Sequence, residues 1–371
     1  MNKKKKIFVD TFYFKAAPAG IKTYIKELVA SSKKSNSSKY IYIYSHDIKK
    51  LENNLTYLNS SLKINRWIFQ LNYFFWKQFI LPIRVVLTSS DILVCSDYVL
   101  PFWKLPAKKM IVLHDTLFWK HPEHYSKLWR KYYLKSINMG IDKSTRIVTT
   151  SEYAKSNLTK VLNKKNEIKV IYQSVSGKFV KKINSKQRII LHVGSFEKRK
   201  DLMTLVEAFE KIKQKPKFKD LKLILAGETN FFGDDSEYQK IKFFIKQNDL
   251  IKDIQITGYL SNKEVKKLYS KAFIYVFPSI EEGFGIPILE SFSFGVPIVC
   301  SDLKVFNEIG KDAVLTFKKK DSINLSKKIE KLLTSDEKRN TLISNGFKRL
   351  NDFSRENFIN SYENYFNSIF K

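Results

Sequence analysis

The sequence predicts an α/β protein built from two open parallel sheets. Three observations lead there. The chain has 371 residues, more than one typical core organises. Short apolar runs rich in β-branched and aromatic residues alternate with amphipathic helical stretches. A polar segment without clear periodicity, Ser174–Gln187, divides that alternation into two series.

The first series begins with a strand at Lys6–Asp10. A helix follows over Ala19–Ser31, with Ile21, Tyr24, Ile25 and Leu28 on one face. Tyr40–Tyr44 is a strand. Trp67–Leu87 is a long amphipathic segment interrupted by Pro82. Its aromatic block, Trp67–Phe79 with Arg66 and Lys77, reads as a core helix, with a membrane-interface helix as the alternative. Asp91–Cys95 and Lys109–Leu113 are strands, Tyr125–Gly140 a helix and Thr145–Thr149 a strand. Ser151 caps a helix over Glu152–Leu162, and Ile168–Tyr172 closes the series.

The second series runs strand Arg188–Val193, helix Asp201–Lys213, strand Leu221–Ala226, helix Ser236–Gln247 and strand Ile254–Thr257. It continues with helix Asn262–Lys271, strand Phe273–Phe277, a helix ending near Phe294 at Gly295, and strand Val296–Cys300. The tail, Arg355–Lys371, is an aromatic-rich amphipathic helix. The domains expected are residues 1–176, 188–352 and a terminal helix over 353–371. Alternating β and α elements give parallel sheets, which bind ligands at the carboxyl ends of their strands, so an active crevice is expected between the two domains.

Composition narrows the function. With 43% hydrophobic and 14% aromatic residues, global disorder is excluded. The two cysteines, Cys95 and Cys300, lie in apolar strand-like runs of different halves and read as buried thiols. The basic start is followed by Asp10 with no apolar h-region, and no apolar run reaches spanning length. A cytoplasmic protein is expected, either free or peripheral on the inner membrane face. The net charge of +31 favours anionic partners: nucleotide diphosphates, lipid head groups or nucleic acid. No helix-turn-helix, zinc-finger or RRM-type motif supports nucleic acid.

The chemistry concentrates in Pro278–Cys300. Glu282 and Glu290 stand eight residues apart across Gly283-Phe284-Gly285-Ile286. The glycines permit close approach of backbone to a ligand, and Pro287 suits the first helical turn. The amides of that helix N-terminus favour phosphate, and the carboxylates can accept hydrogen bonds from sugar or ribose hydroxyls. Gly194 ends a strand before Arg199 and Lys200, a candidate anion clamp. His114-Asp115 leaves another strand, placed to orient a hydroxyl or support proton transfer. His121 and His124 read as loop residues, and His46 and His192 carry no supporting context. Gly20 opens the first helix.

The Pro278–Cys300 stretch resembles the E-x7-E signature of family 4 retaining glycosyltransferases of GT-B fold. G-S-F-E-K-R-K-D-L at 194–202 resembles the family's phosphate motif, with Ser195 where many members carry arginine. H-D-T-L-F-W-K-H-P-E resembles the corresponding region of mannosyl- and rhamnosyltransferase-like members, and Gly20-Ile21 the family's first glycine segment. The resemblance implies two Rossmann-like domains facing across a cleft, with the tail packed back on the first. It implies Glu290 on the ribose, Arg199 and Lys200 on the diphosphate, and Glu282 with residues 283–286 on the sugar. Gly20, Gly194 and His114 complete the donor site.

The expected reaction is retaining transfer of a hexosyl group from a GDP-, dTDP- or UDP-sugar. The acceptor is a lipid-linked or growing glycan of a bacterial surface polysaccharide, at an anionic membrane surface. No metal or other cofactor is implied, and no Asp-x-Asp motif is seen. A GT-B sugar-nucleotide epimerase and a non-catalytic basic binding protein are the alternatives.

Overall fold

The computed structural model describes residues 3–35, 37–53, 63–122, 127–162, 164–175, 188–230 and 233–371. The chain divides into two compact units. The first holds Met1–Ser176 and Phe353–Lys371, the second Gly177–Asp352. Most of the expected linker, residues 176–187, lies outside the described residues.

The first unit contains strands β1 (Lys5–Asp10), β2 (Tyr40–Tyr44), β3 (Ile92–Cys95), β4 (Lys108–Val112), β5 (Arg146–Thr149) and β6 (Ile168–Val170). They form one sheet in the order β2-β1-β3-β4-β5-β6, with every pairing parallel. Its central strands are apolar on both faces, as a sheet covered on both sides requires. The helix Arg355–Phe370 packs within this unit. Its Phe358, Tyr362 and Phe366 join Val9, Tyr24 and Val94 in one core cluster. Arg355 grips Glu27 with a two-pronged hydrogen bond at 2.7 and 2.8 Å.

The second unit contains β7 (Ile189–Val193), β8 (Lys222–Ala226), β9 (Ile254–Gly258), β10 (Ile274–Phe277), β11 (Ile298–Ser301) and β12 (Val314–Phe317). Their order is β12-β11-β10-β7-β8-β9, again parallel throughout. Helices Lys304–Gly310, Ser322–Thr334 and Asp336–Leu350, with β12, fill a stretch to which the sequence reading assigned no elements.

Both sheets change direction beside their first strand. In the first unit β1 separates β2 from β3, and in the second β7 separates β10 from β8. Crevices form at such switch points, outside the carboxyl ends of the strands. Charged residues gather at both.

The segment after residue 63 departs from expectation. Pro82 does not interrupt it: helices Lys63–Phe75 and Leu81–Leu87 are joined by a π turn at Trp76–Ile80. Proline has no N–H for the carbonyl four residues earlier, which belongs to Gln78. The Trp103 indole N–H donates to that carbonyl instead, at 2.6 Å. The wide turn points Trp76, Lys77 and Gln78 inward together, while Phe75, Phe79 and Ile80 stay exposed. The block is therefore half core and half surface. The side chains of Arg66 and Trp67 lie outside the described residues.

Candidate active site

The strands β7 and β10 are neighbours, so the loops that leave them meet. The Ile280 amide donates to the Arg199 carbonyl at 2.8 Å and locks the two loops together. That contact delivers both cations to one carboxylate. Lys200 Nζ lies 2.6 Å from Glu282 Oε1, and Arg199 Nη1 lies 2.8 Å from the same oxygen. Arg199 also donates from Nε and Nη2 to Glu197, at 2.8 and 3.2 Å. Lys200 sits over the Phe277 ring.

Burial alone would raise the Glu282 carboxyl. The charges of Arg199 and Lys200 outweigh it and hold the group at about 2. The site therefore presents an ionised carboxylate bridged to two cations, each 10–14% exposed. Glu197 was not foreseen. Its position two residues before Arg199, an acid within a basic run, is the signal that marks it.

Glu290 occupies the helix Ile286–Ser293, which Gly285 starts in the left-handed region at φ 109°. A side chain at Gly285 would press on Ile288 and Phe306 at 3.2 Å. Tyr269 donates to Glu290 Oε2 at 3.2 Å, and burial pushes the Glu290 carboxyl upward. Tyr269 stacks on Tyr275, whose hydroxyl donates to the Val193 carbonyl at 3.1 Å beside Gly194. The two tyrosines thus connect the Glu290 helix to the Gly194 loop. Sequence reasoning missed both, because a strand aromatic and a helix aromatic read simply as core.

Gly194 is required by its surroundings. A side chain there would meet His192 Nε2 at 2.9 Å, and one at Gly227 would lie 1.9 Å from the Gly194 carbonyl. His192 is fully buried and donates from Nδ1 to the Val276 carbonyl at 2.9 Å, and burial lowers it to about 4, so it is neutral at physiological pH. Gly283 is partly exposed, Phe284 is buried, and Ile286 begins the helix.

In the first unit, His114 follows β4. Its Nε2 lies 3.0 Å from the Ser96 carbonyl, and its ring packs edge-on to Tyr24. Burial lowers it to about 4, so it is neutral at physiological pH. Gly20 is the second residue of the helix Ala19–Lys33 and is exposed, with nothing near the place a side chain would take. His121 is partly exposed, and His124 lies outside the described residues.

Asp10, Cys95 and Asp97 also converge, at the carboxyl ends of β1 and β3, with ligand atoms within 4.8 Å of one another. Lys77 already stands among them, with Nζ 2.7 Å from each carboxylate. Its ammonium occupies the position a metal cation would take.

The two parallel six-stranded sheets, each with its switch point beside the first strand, have the GT-B fold. The comparison with known proteins agrees. Residues 176–349, a stretch that falls almost wholly within the second unit, match the family described as glycosyl transferases group 1. The chain is 27% identical over 290 residues to O-antigen chain mannosyltransferase B of Escherichia coli, covering 72% of this chain and 74% of that one. It is 28% identical to O-antigen chain mannosyltransferase RfbU of Salmonella typhimurium, over 64% of this chain and 63% of the relative. Anabaena HepE in complex with UDP and glucose superimposes with a TM-score of 0.70 at 16% identity, over 99% of this chain and 100% of that one.

Proposed function

We propose that the chain is a glycosyltransferase that moves a hexosyl group from a nucleotide-diphosphate sugar to a glycan acceptor of surface polysaccharide synthesis, with retention of anomeric configuration and without a metal. The observation that carries the reading is the convergence of Lys200 and Arg199 on Glu282 at the β7–β10 switch point.

A diphosphate entering the site meets two cations prepositioned by carboxylates. As the sugar leaves, negative charge grows on the diphosphate, and the two cations stabilise it without reorganisation. Glu282, released from part of its cation contact, accepts from the sugar hydroxyls, and the amides of residues 283–286 donate to oxygens of the sugar phosphate. Glu290, steadied by Tyr269, accepts from the ribose. Gly194 gives the diphosphate close access to the backbone beside Lys200. Leaving-group phosphate deprotonates the acceptor on the same face, so no protein nucleophile is needed. The E. coli relative makes mannose the first donor sugar to examine and an O-antigen-type glycan the first acceptor class.

The test is calorimetric binding of GDP-, dTDP- and UDP-hexoses, followed by slow hydrolysis monitored by proton NMR in EDTA. The expected result is one bound donor, turned over in EDTA to the retained anomer. Failure to bind any nucleotide sugar, inversion, or activity lost in EDTA and restored by magnesium overturns the corresponding part of the reading.

A further inference from the structure

The helical segment Lys63–Leu87 is packed on one side only. Tyr73, Trp76, Leu81 and Val85 face the core of the first unit. On the opposite side Ile68, Leu71, Phe75, Phe79, Ile83 and Leu87 are each 45–77% exposed. Their spacing of three or four residues makes one stripe, and the π turn keeps it continuous past Trp76. At a rise of about 1.5 Å per residue the stripe is roughly 28 Å long. Trp103, itself 56% exposed, is anchored by its indole N–H to Gln78 at the middle of the segment. An apolar surface this extended on a folded domain marks an interaction site.

The charge around it identifies the partner. There is no Asp or Glu between Glu52 and Asp91, nor between Glu123 and Asp142. The helix Lys127–Gly140 lies alongside, through contact of the Tyr132 ring with Phe74. It exposes Lys127, Lys131 and Lys135, and Lys104 is exposed next to Trp103. A second copy of the chain placed on this face would bring like-charged lysines together. An anionic bilayer accepts both features: apolar side chains enter the acyl boundary, and lysines reach the phosphate headgroups.

We infer that the face formed by Ile68–Leu87, Trp103 and the Lys127–Lys135 edge seats the first unit on an anionic lipid surface, with the helical segment lying in the membrane plane. The segment does not span: its inward side carries Lys77, sealed between two carboxylates. The inference goes beyond the donor-site reading and involves none of its residues.

The test uses the full chain without nucleotide sugar, sedimented with vesicles of phosphatidylcholine alone or with about 30% phosphatidylglycerol. Wild type should prefer the anionic vesicles, with Trp fluorescence shifted to the blue. Phe75→Ser/Phe79→Ser should lower partitioning at least tenfold at low and high salt. Lys131→Glu/Lys135→Glu should erase the preference for anionic lipid. Both doublets change exposed side chains, so thermal melts should match wild type and verify folding. Nucleotide-sugar binding by the same variants should be unchanged, which separates this inference from the donor-site reading. Absence of vesicle binding by wild type, or unchanged partitioning of the Phe75/Phe79 variant, overturns it. So does a concentration-dependent dimer in solution that the Phe75/Phe79 variant abolishes, since the face would then cover a second copy.

Discussion

The two units place charged clusters at the same topological position and use them differently. At the β1–β3 switch point Lys77 sits between Asp10 and Asp97, with all three side chains at most 2% exposed. At the β7–β10 switch point Arg199, Lys200, Glu282 and Glu197 are 6–14% exposed. The first cluster has its oxygens occupied by protein donors. Trp76 Nε1, Ser45 Oγ and the Phe12 amide all donate to Asp10 Oδ1, and Tyr73 donates to Asp97. The second balances two cations against two carboxylates and keeps an edge open. A cluster filled by its own lysine reads as a brace, and the one with paired cations toward its rim is the candidate site. The group 1 family match falls on the unit with the open cluster.

The largest effect should come from attacking the brace. Lys77→Met leaves two carboxylates buried without a cation, and breaking such a pair costs about 3–5 kcal/mol. Urea unfolding of the first unit should shift by that amount, while nucleotide-sugar binding by the remaining folded protein is retained. A shift below about 1 kcal/mol would show that the sealed cluster does not brace the fold.

The mirror experiment is Lys200→Ala. Arg199 still pairs with Glu282, so the carboxylate keeps one cation and the stability loss should be smaller than that of Lys77→Met. Turnover should fall by about 10²–10³, because the ammonium acts chiefly on charge that develops as the diphosphate departs. KM for the donor should change less than kcat. A stability loss like that of Lys77→Met, with kcat preserved, would erase the distinction between the clusters.

The alternation of strands and helices was legible because apolar runs and amphipathic periods are local signals. Two parallel sheets, the Gly285 turn and the Ser151 cap followed from residue type alone. Glu282, Arg199 and Lys200 were legible as members of one site through motif spacing, but their contact depends on β7 and β10 being neighbours, which is a matter of strand order. Tyr269 and Tyr275 were illegible for the same reason: each gains its role from a residue far away in sequence. The π turn was hidden as well. It contains a carbonyl that Pro82 leaves open and Trp103 satisfies, a contact across 25 residues. That hidden turn points Lys77 inward and leaves the aromatic block with two faces.

The smallest effect sharpens the comparison most, because it alters the charge of the brace and leaves its shape. Burial pushes the Asp97 carboxyl up to about 6, against the pull of Lys77, with the negative charge of Asp10 adding to the rise. A raised carboxyl contributes stability that is full below its unfolded pKa, near 3.8, and is lost as pH rises through about 6. His114 and His192, lowered to about 4, act in the opposite sense: the stability they contribute is full above about 6.5 and is lost as pH falls through about 4. The wild-type profile therefore mixes opposing slopes. Asp97→Asn removes only one of them, and the amide can still accept from Lys77 through Oδ1 and donate to the Tyr73 hydroxyl through Nδ2. Near pH 4 the variant and wild type should unfold together. At pH 8 the variant should be the more stable by about 1–3 kcal/mol, since position 97 then carries no anion to desolvate and Asp10 alone pairs with Lys77. Paired urea titrations across that range measure the difference directly, with the histidine contribution cancelling. A variant less stable than wild type at pH 8 would mean that Lys77 needs both carboxylates ionised, and the first cluster would then be a fully charged triad.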